Sequence, residues 1–112
     1  MKKQHNVLLD VLDDASREII AQALYYRDQS PDSNLEARWD RAVMAAIQSL
    51  LSSPERGLVC PFRAQGLQGM RRIPVQGFPN HFVFYLFVPG KGVIRIVHVL
   101  HGARDLETFF DE

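Results

Sequence analysis

A single cysteine, Cys60, stands in 112 residues, which excludes an intrachain disulfide and any cluster of thiolates around a metal. No apolar run approaches the roughly 20 residues that a membrane-spanning helix needs. The opening Met1-Lys-Lys-Gln-His-Asn is charged, but Asp10, Asp13 and Asp14 follow too soon for the apolar centre of a signal peptide. A cytoplasmic protein with no membrane partner is therefore expected. Repeats and low-complexity segments are absent as well, and the length suits one domain, 1–112, with a core of useful size. The most informative absence is of acid. No carboxylate lies between Glu55 and Asp105.

That gap makes the formal net charge of zero misleading. Residues 1–62 hold seven Lys/Arg against nine Asp/Glu, and residues 105–112 hold four acids and no base. Between them stand Arg63, Arg71, Arg72, Lys91, Arg95 and Arg104, a block of +6, with His81, His98 and His101 able to add charge. A block of one sign attracts an acidic partner, nucleic acid or protein. It also serves as a solvated sheet edge, or as a set of partners for acids on neighbouring helices. Both readings stand on charge alone.

The stretch Val93 to Asp105 opens with the strongest strand signal, rich in β-branched residues between Gly90-Lys91-Gly92 and Gly102, and its second half, His101-Gly-Ala-Arg-Asp105, interrupts that strand with a polar exit. Its apolar residues fall on both faces, which places it inside a sheet. A second strand, His81 to Val88, precedes it across the turn Pro89-Gly-Lys-Gly92. Leu67 to Gln76 makes a third, which Pro74 demotes toward an edge or a bulge. Strand alternation lets only one of Arg71 and Arg72 face the helices.

Upstream, Asn6 to Leu12 reads as a first strand, and Asp13 or Asp14 as the cap of a helix. Ile19, Ile20, Ala23, Leu24 and Tyr26 form that helix's apolar stripe, which Ser30-Pro31 ends. Ser33 and Glu36 have capping-box spacing. The stripe Leu35, Trp39, Ala42, Val43, Ala46, Ile47, Leu50 and Leu51 then marks a second helix with Trp39 as a core anchor. Leu58 to Phe62, broken by Pro61, reads as an irregular connector or edge. The expected architecture is α+β: an N-terminal strand, an antiparallel helical hairpin, and a three-stranded antiparallel meander with the helices on one sheet face.

The meander Phe78-Pro-Asn-His-Phe-Val-Phe-Tyr85, with the ending Ile94-Arg-Ile-Val-His-Val-Leu-His-Gly-Ala-Arg-Asp105, resembles the C-terminal half of ParE-type toxins. These belong to the RelE/ParE superfamily of type II toxin–antitoxin systems. The hairpin exit Leu51-Ser-Ser-Pro-Glu-Arg-Gly57 is similar to the first half of that family, so the resemblance covers nearly the whole chain. It implies a small cytoplasmic toxin of plasmid-stabilisation type, held by a cognate antitoxin and needing no cofactor. ParE-like members act on DNA gyrase, whereas RelE-like members cut mRNA on the ribosome.

Metal-independent RNA cleavage needs a base, an acid and cations for the developing phosphorane charge. Arg72 (or Arg71), Arg95, His98, His101 and Arg104 offer that chemistry. On a regular strand, however, Arg95 and His101 share one face while Ile94, Ile96, His98 and Leu100 share the other, so His98 and His101 meet only if the strand bulges between them. The same separation argues against metal chelation by that pair. The C-terminal Asp105-Leu-Glu-Thr-Phe-Phe-Asp-Glu112 lacks the tyrosine, histidine or base that RelE-like nucleases keep there. The leading expectation is therefore a non-enzymatic, gyrase-binding toxin, with the ribosome-dependent nuclease and a non-toxic superfamily member as alternatives. Arg71, Arg72, Tyr85, Arg95, His101, Arg104, Phe109 and Phe110 are the candidates for contact with target or antitoxin. His101 and Arg104 have a second reading, as braces for the end of the sheet.

Overall fold

The computed structural model describes residues 7–62 and 66–102. Its elements in chain order are β1 (Leu8–Val11), α1 (Asp13–Gln29), α2 (Leu35–Ser49), β2 (Leu58–Val59), β3 (Arg71–Val75), β4 (Phe78–Val88) and β5 (Val93–His101). One sheet runs in the order β1-β5-β4-β3-β2, with β1 parallel to β5 and the other pairs antiparallel. The α+β architecture matches the expectation, and the run from Val93 is an interior strand. The connector at Leu58 adds a fifth strand, since two of its residues pair with Arg71 and Arg72.

The helices cover one face. Trp39, Val43, Ile47 and Leu50 of the α2 side, with Ala15 and Ala23 of α1, pack on Ile73, Val75, Val83, Tyr85, Ile94, Ile96 and Val99 of the sheet. Trp39 also donates its indole N–H to the Ile19 carbonyl at 3.0 Å, so it pins the two helices together as well as filling the core. The other face is covered by the segment between β2 and β3, where Cys60, Phe62 and Met70 pack on Phe84 and Leu100. Both faces of β4 and β5 are thereby covered over much of their length, as their two-sided apolar pattern requires.

Three local expectations change. Neither Asp13 nor Asp14 caps α1: both lie in its first turn, and the N-cap is Leu12. The Ser33/Glu36 capping box does not form, because the N-cap of α2 is Asn34. Ser33 Oγ instead donates to the Ser30 carbonyl and accepts from the Leu35 N–H, closing the interhelical turn. The stripe of α1 also splits, with Ile19 and Tyr26 against the core and Ile20 and Leu24 turned outward, 57% and 39% exposed. Pro74 behaves as its chemistry demands: it lies past the end of β2, next to a register shift in the β3–β4 ladder.

One departure has wider effect. From the hairpin turn the β4–β5 ladder runs in step to Tyr85↔Ile96, then continues as Phe84↔His98. Val97 is the extra residue of a β-bulge, which reverses the face assignment of everything after it. Ile94 and Ile96 face the helices as alternation predicts. Val99 does too, whereas Leu100 lies on the opposite face. The expected sharing of a face by Arg95 and His101 is thus corrected: Arg95 sits opposite Leu86 and His101 opposite His81.

Candidate functional site

The sheet's cationic side chains have structural partners. Arg71, opposite Tyr85 on the helix side, donates from Nη1 to the carbonyls of Glu55 at 2.9 Å and Gly57 at 2.8 Å. Arg72 points to the other face, where its guanidinium lies 4.6 Å from the centre of the Phe82 ring. One arginine on each face is what strand alternation allows. Arg95 faces Asp10 of β1 across the parallel ladder, with Nε 3.8 Å from the carboxylate. Arg72 also borders an apolar cleft of about 280 Å³ lined by Leu58, Val59, Cys60, Pro61 and Phe62. Burial raises the Cys60 thiol pKa against the opposing pull of Arg72, so this side chain is a packed thiol and not a reactive thiolate.

Tyr85, a candidate for partner contact, is fully buried and presents no surface. Its hydroxyl accepts the Gly57 N–H at 2.9 Å, and burial raises its pKa. Gly57 is packed so closely that a Cβ there would lie 2.7 Å from the Tyr85 hydroxyl and 2.8 Å from the Arg72 carbonyl oxygen. Together Tyr85 and Arg71 fasten the loop after α2 to the sheet. Tyr85→Phe strands the buried Gly57 N–H and is expected to cost about 1–3 kcal/mol. Urea unfolding of the variant and the parent measures this; an unchanged midpoint would show that water replaces the hydroxyl.

His98 stands at the bulge. β1 pairs with β5 from Val93 to Ile96, and among the described residues no strand pairs with the rest of that side of β5. Glu18 of α1 takes its place: one carboxylate oxygen accepts the Val99 N–H at 2.8 Å, and the other lies 2.8 Å from His98 Nδ1. Sequence reasoning missed Glu18, because nothing local marks a helix carboxylate as the acceptor for a strand 81 residues away.

His101 meets a histidine that sequence reasoning left out of the site. His81 and His101 are register partners, with ring centroids 4.9 Å apart, and His81 leans in turn on Trp39. Tyr26, Phe78 and Asn80 complete an open cleft of about 270 Å³ around the pair. Burial, helped by the neighbouring His101, pushes the His81 pKa below its ordinary 6.5. The unfolded chain thus takes up a proton that the folded chain refuses. Stability from this group is complete above about pH 6.5 and falls as pH drops toward the lower folded value. Urea midpoints at pH 7.5 and 5.5 should show this loss, and His81→Gln should reduce it. Equal pH dependence in both proteins would refute the assignment.

Arg104, Phe109 and Phe110 lie outside the described residues. Among the candidates that are described, Arg72 and the two-histidine cleft are on opposite faces, and Arg95 is paired at the β1 side. Among the described residues no group of three or more His, Cys, Asp or Glu is arranged to hold a metal ion, and no helix is long and apolar enough to cross a membrane.

Fold and sequence together define a small toxin of the type II toxin–antitoxin class. The family described as the ParE toxin of the type II toxin–antitoxin system, parDE, matches residues 9–106, and the chain belongs to it. Among solved structures, a free-state mutant of the Escherichia coli toxin RelE is similar at a TM-score of 0.59 and 14% identity, covering 96% of this chain and 95% of that one. The toxin–antitoxin complex RelBE of the same organism gives a TM-score of 0.52 and 15% identity over 88% of this chain and 100% of the matched chain. At such identities the likeness is one of fold. A comparison with curated protein sequences gives no match.

Proposed function

We propose that this ParE-family toxin acts by binding protein, with DNA gyrase as its target and a cognate antitoxin as its neutralising partner. The observation that carries this reading is the structural commitment of four of the candidate ribonuclease side chains, while Arg104 lies outside the described residues. Arg71 holds two loop carbonyls, Arg72 covers Phe82, Arg95 faces Asp10, and His98 is tied to Glu18. A general acid–base pair with phosphate-binding cations must converge on one scissile bond, and these groups are divided between two faces and an edge. Exposed aliphatic side chains at the sheet's β2 edge, Leu58 at 69% and Val59 at 58%, suit a protein partner. The RelBE likeness supports an antitoxin as one such partner.

Induction of the chain in a bacterium without its antitoxin is expected to stop growth, and co-expression of the antitoxin to restore it. The purified toxin should then inhibit gyrase supercoiling. Normal growth of cells that accumulate folded protein would overturn the toxin reading. Growth arrest with active gyrase and cleavage of ribosome-bound mRNA would replace the gyrase reading with the nuclease one.

A further inference from the structure

We propose that the outer edge of β2, with the cleft beside Arg72, docks an extended segment of the antitoxin. The segment pairs with Val59 as an added strand, places an aliphatic side chain in the cleft and gives a carboxylate to Arg72. This rests on the reading of the chain as an antitoxin-held toxin. The ladder fixes which backbone groups the edge offers. Cys60 donates its N–H to the Met70 carbonyl at 2.7 Å. Bonded pairs alternate along an antiparallel ladder, so Leu58↔Arg72 is a bonded pair and Val59↔Arg71 is not. The N–H and C=O of Val59 therefore point away from β3. The nearest residues that share this direction cannot serve: Pro61 has no N–H, and Gly57 gives its N–H to the Tyr85 hydroxyl and its carbonyl to Arg71. Val59 is thus the residue of β2 that offers both donor and acceptor, which sets the register of an incoming strand.

The side chains fit the same occupant. Leu58, at 69%, is the most exposed large hydrophobic residue among those described. It shares a face with Cys60 and with its register partner Arg72, and the cleft of about 280 Å³ opens there beside Pro61 and Phe62. In an added strand, the two residues flanking the one opposite Val59 place their side chains on that face. One meets the cleft, and the other lies across Leu58 from Arg72. Neighbouring strands are about 4.8 Å apart, so Arg72 stands roughly 10 Å from the added main chain, a gap that an arginine and a glutamate span together. The guanidinium rests on the Phe82 ring and has no carboxylate partner among the described residues. A carboxylate from the partner supplies one. Since the backbone bonds are confined to one residue, the cleft and the charge select the partner.

The test is calorimetric titration of the full chain with its purified cognate antitoxin. Val59→Pro removes the outward donor and no bond to β3, so the variant should keep the parent's urea midpoint and lose at least tenfold in antitoxin affinity. Arg72→Glu should lose at least tenfold as well, and Arg72→Lys less. In the parent, the Val59 amide should exchange with solvent more slowly once antitoxin is bound, a readout that needs no variant. If the antitoxin binds the parent, Val59→Pro and Arg72→Glu alike, and Val59 exchange is unchanged, the docking site is overturned while the antitoxin remains a partner. Absence of binding to the parent overturns both. Protection of Val59 by gyrase, or by a higher concentration of the chain alone, but not by antitoxin, gives this edge to a different occupant and also overturns the proposal.

Discussion

Trp39→Ala is expected to destabilise the protein by about 3–5 kcal/mol, the usual range for deleting a large buried aromatic side chain. The indole has no exposed surface and contacts the rings of Tyr26, Phe78 and His81. Its N–H serves the Ile19 carbonyl, so truncation removes a hydrogen bond between the helices along with the packing. A domain of this size has about 5–15 kcal/mol of stability in all, so a large part of it depends on one side chain. Urea unfolding followed by circular dichroism measures the loss. Trp39→Phe keeps most of the volume and should recover part of it. A Trp39→Ala protein with a parental midpoint would mean that the helices settle on the sheet without their anchor.

Glu18→Ala is expected to cost about 1.5–3 kcal/mol, the range for hydrogen bonds to a charged group. The substitution takes the acceptor from the Val99 N–H and the partner from His98 in a single change. Glu18→Gln keeps a carbonyl for the strand and should lose less. The effect should be local as well as global, with the Val99 amide exchanging with solvent faster than its neighbours. A double-mutant cycle with His98→Ala separates the histidine's share from the backbone's. If Glu18→Ala leaves both the midpoint and the exchange of Val99 unchanged, the carboxylate is not a substitute for a strand.

These two residues also show what was legible beforehand. Trp39 belongs to a stripe repeating at helical spacing, and its burial follows from that pattern. Likewise, the β-branched run from Val93 and the glycine turn before it define a hairpin from local chemistry. The bonds of Glu18 depend on where β1 stops and on an extra residue at Val97, neither of which is written near position 18. The histidine cleft shows the same limit. Without the bulge, the ladder set by Val88↔Val93 would have placed His81 opposite Leu100. A slip of one residue exchanges the two faces of a strand, and no propensity near Val97 announces it. Helix caps failed for a related reason: Ser33 had the right spacing for a box, but its hydroxyl oxygen accepts the Leu35 N–H instead, and Asn34 becomes the N-cap.

The parallel pairing of β1 with β5 has a consequence for synthesis on the ribosome. The partner of Leu8 is Val93, so the first strand emerges long before the strand that receives it. The helices emerge next, with the apolar face of α2 still lacking the sheet that will cover it. Translation at roughly 5–20 residues per second leaves this face uncovered for several seconds. A chain interrupted before Val93 has no strand on which to close the fold. β5 is therefore the element that closes the sheet on β1, and a chain terminated before it has an incomplete sheet in place of a shortened toxin.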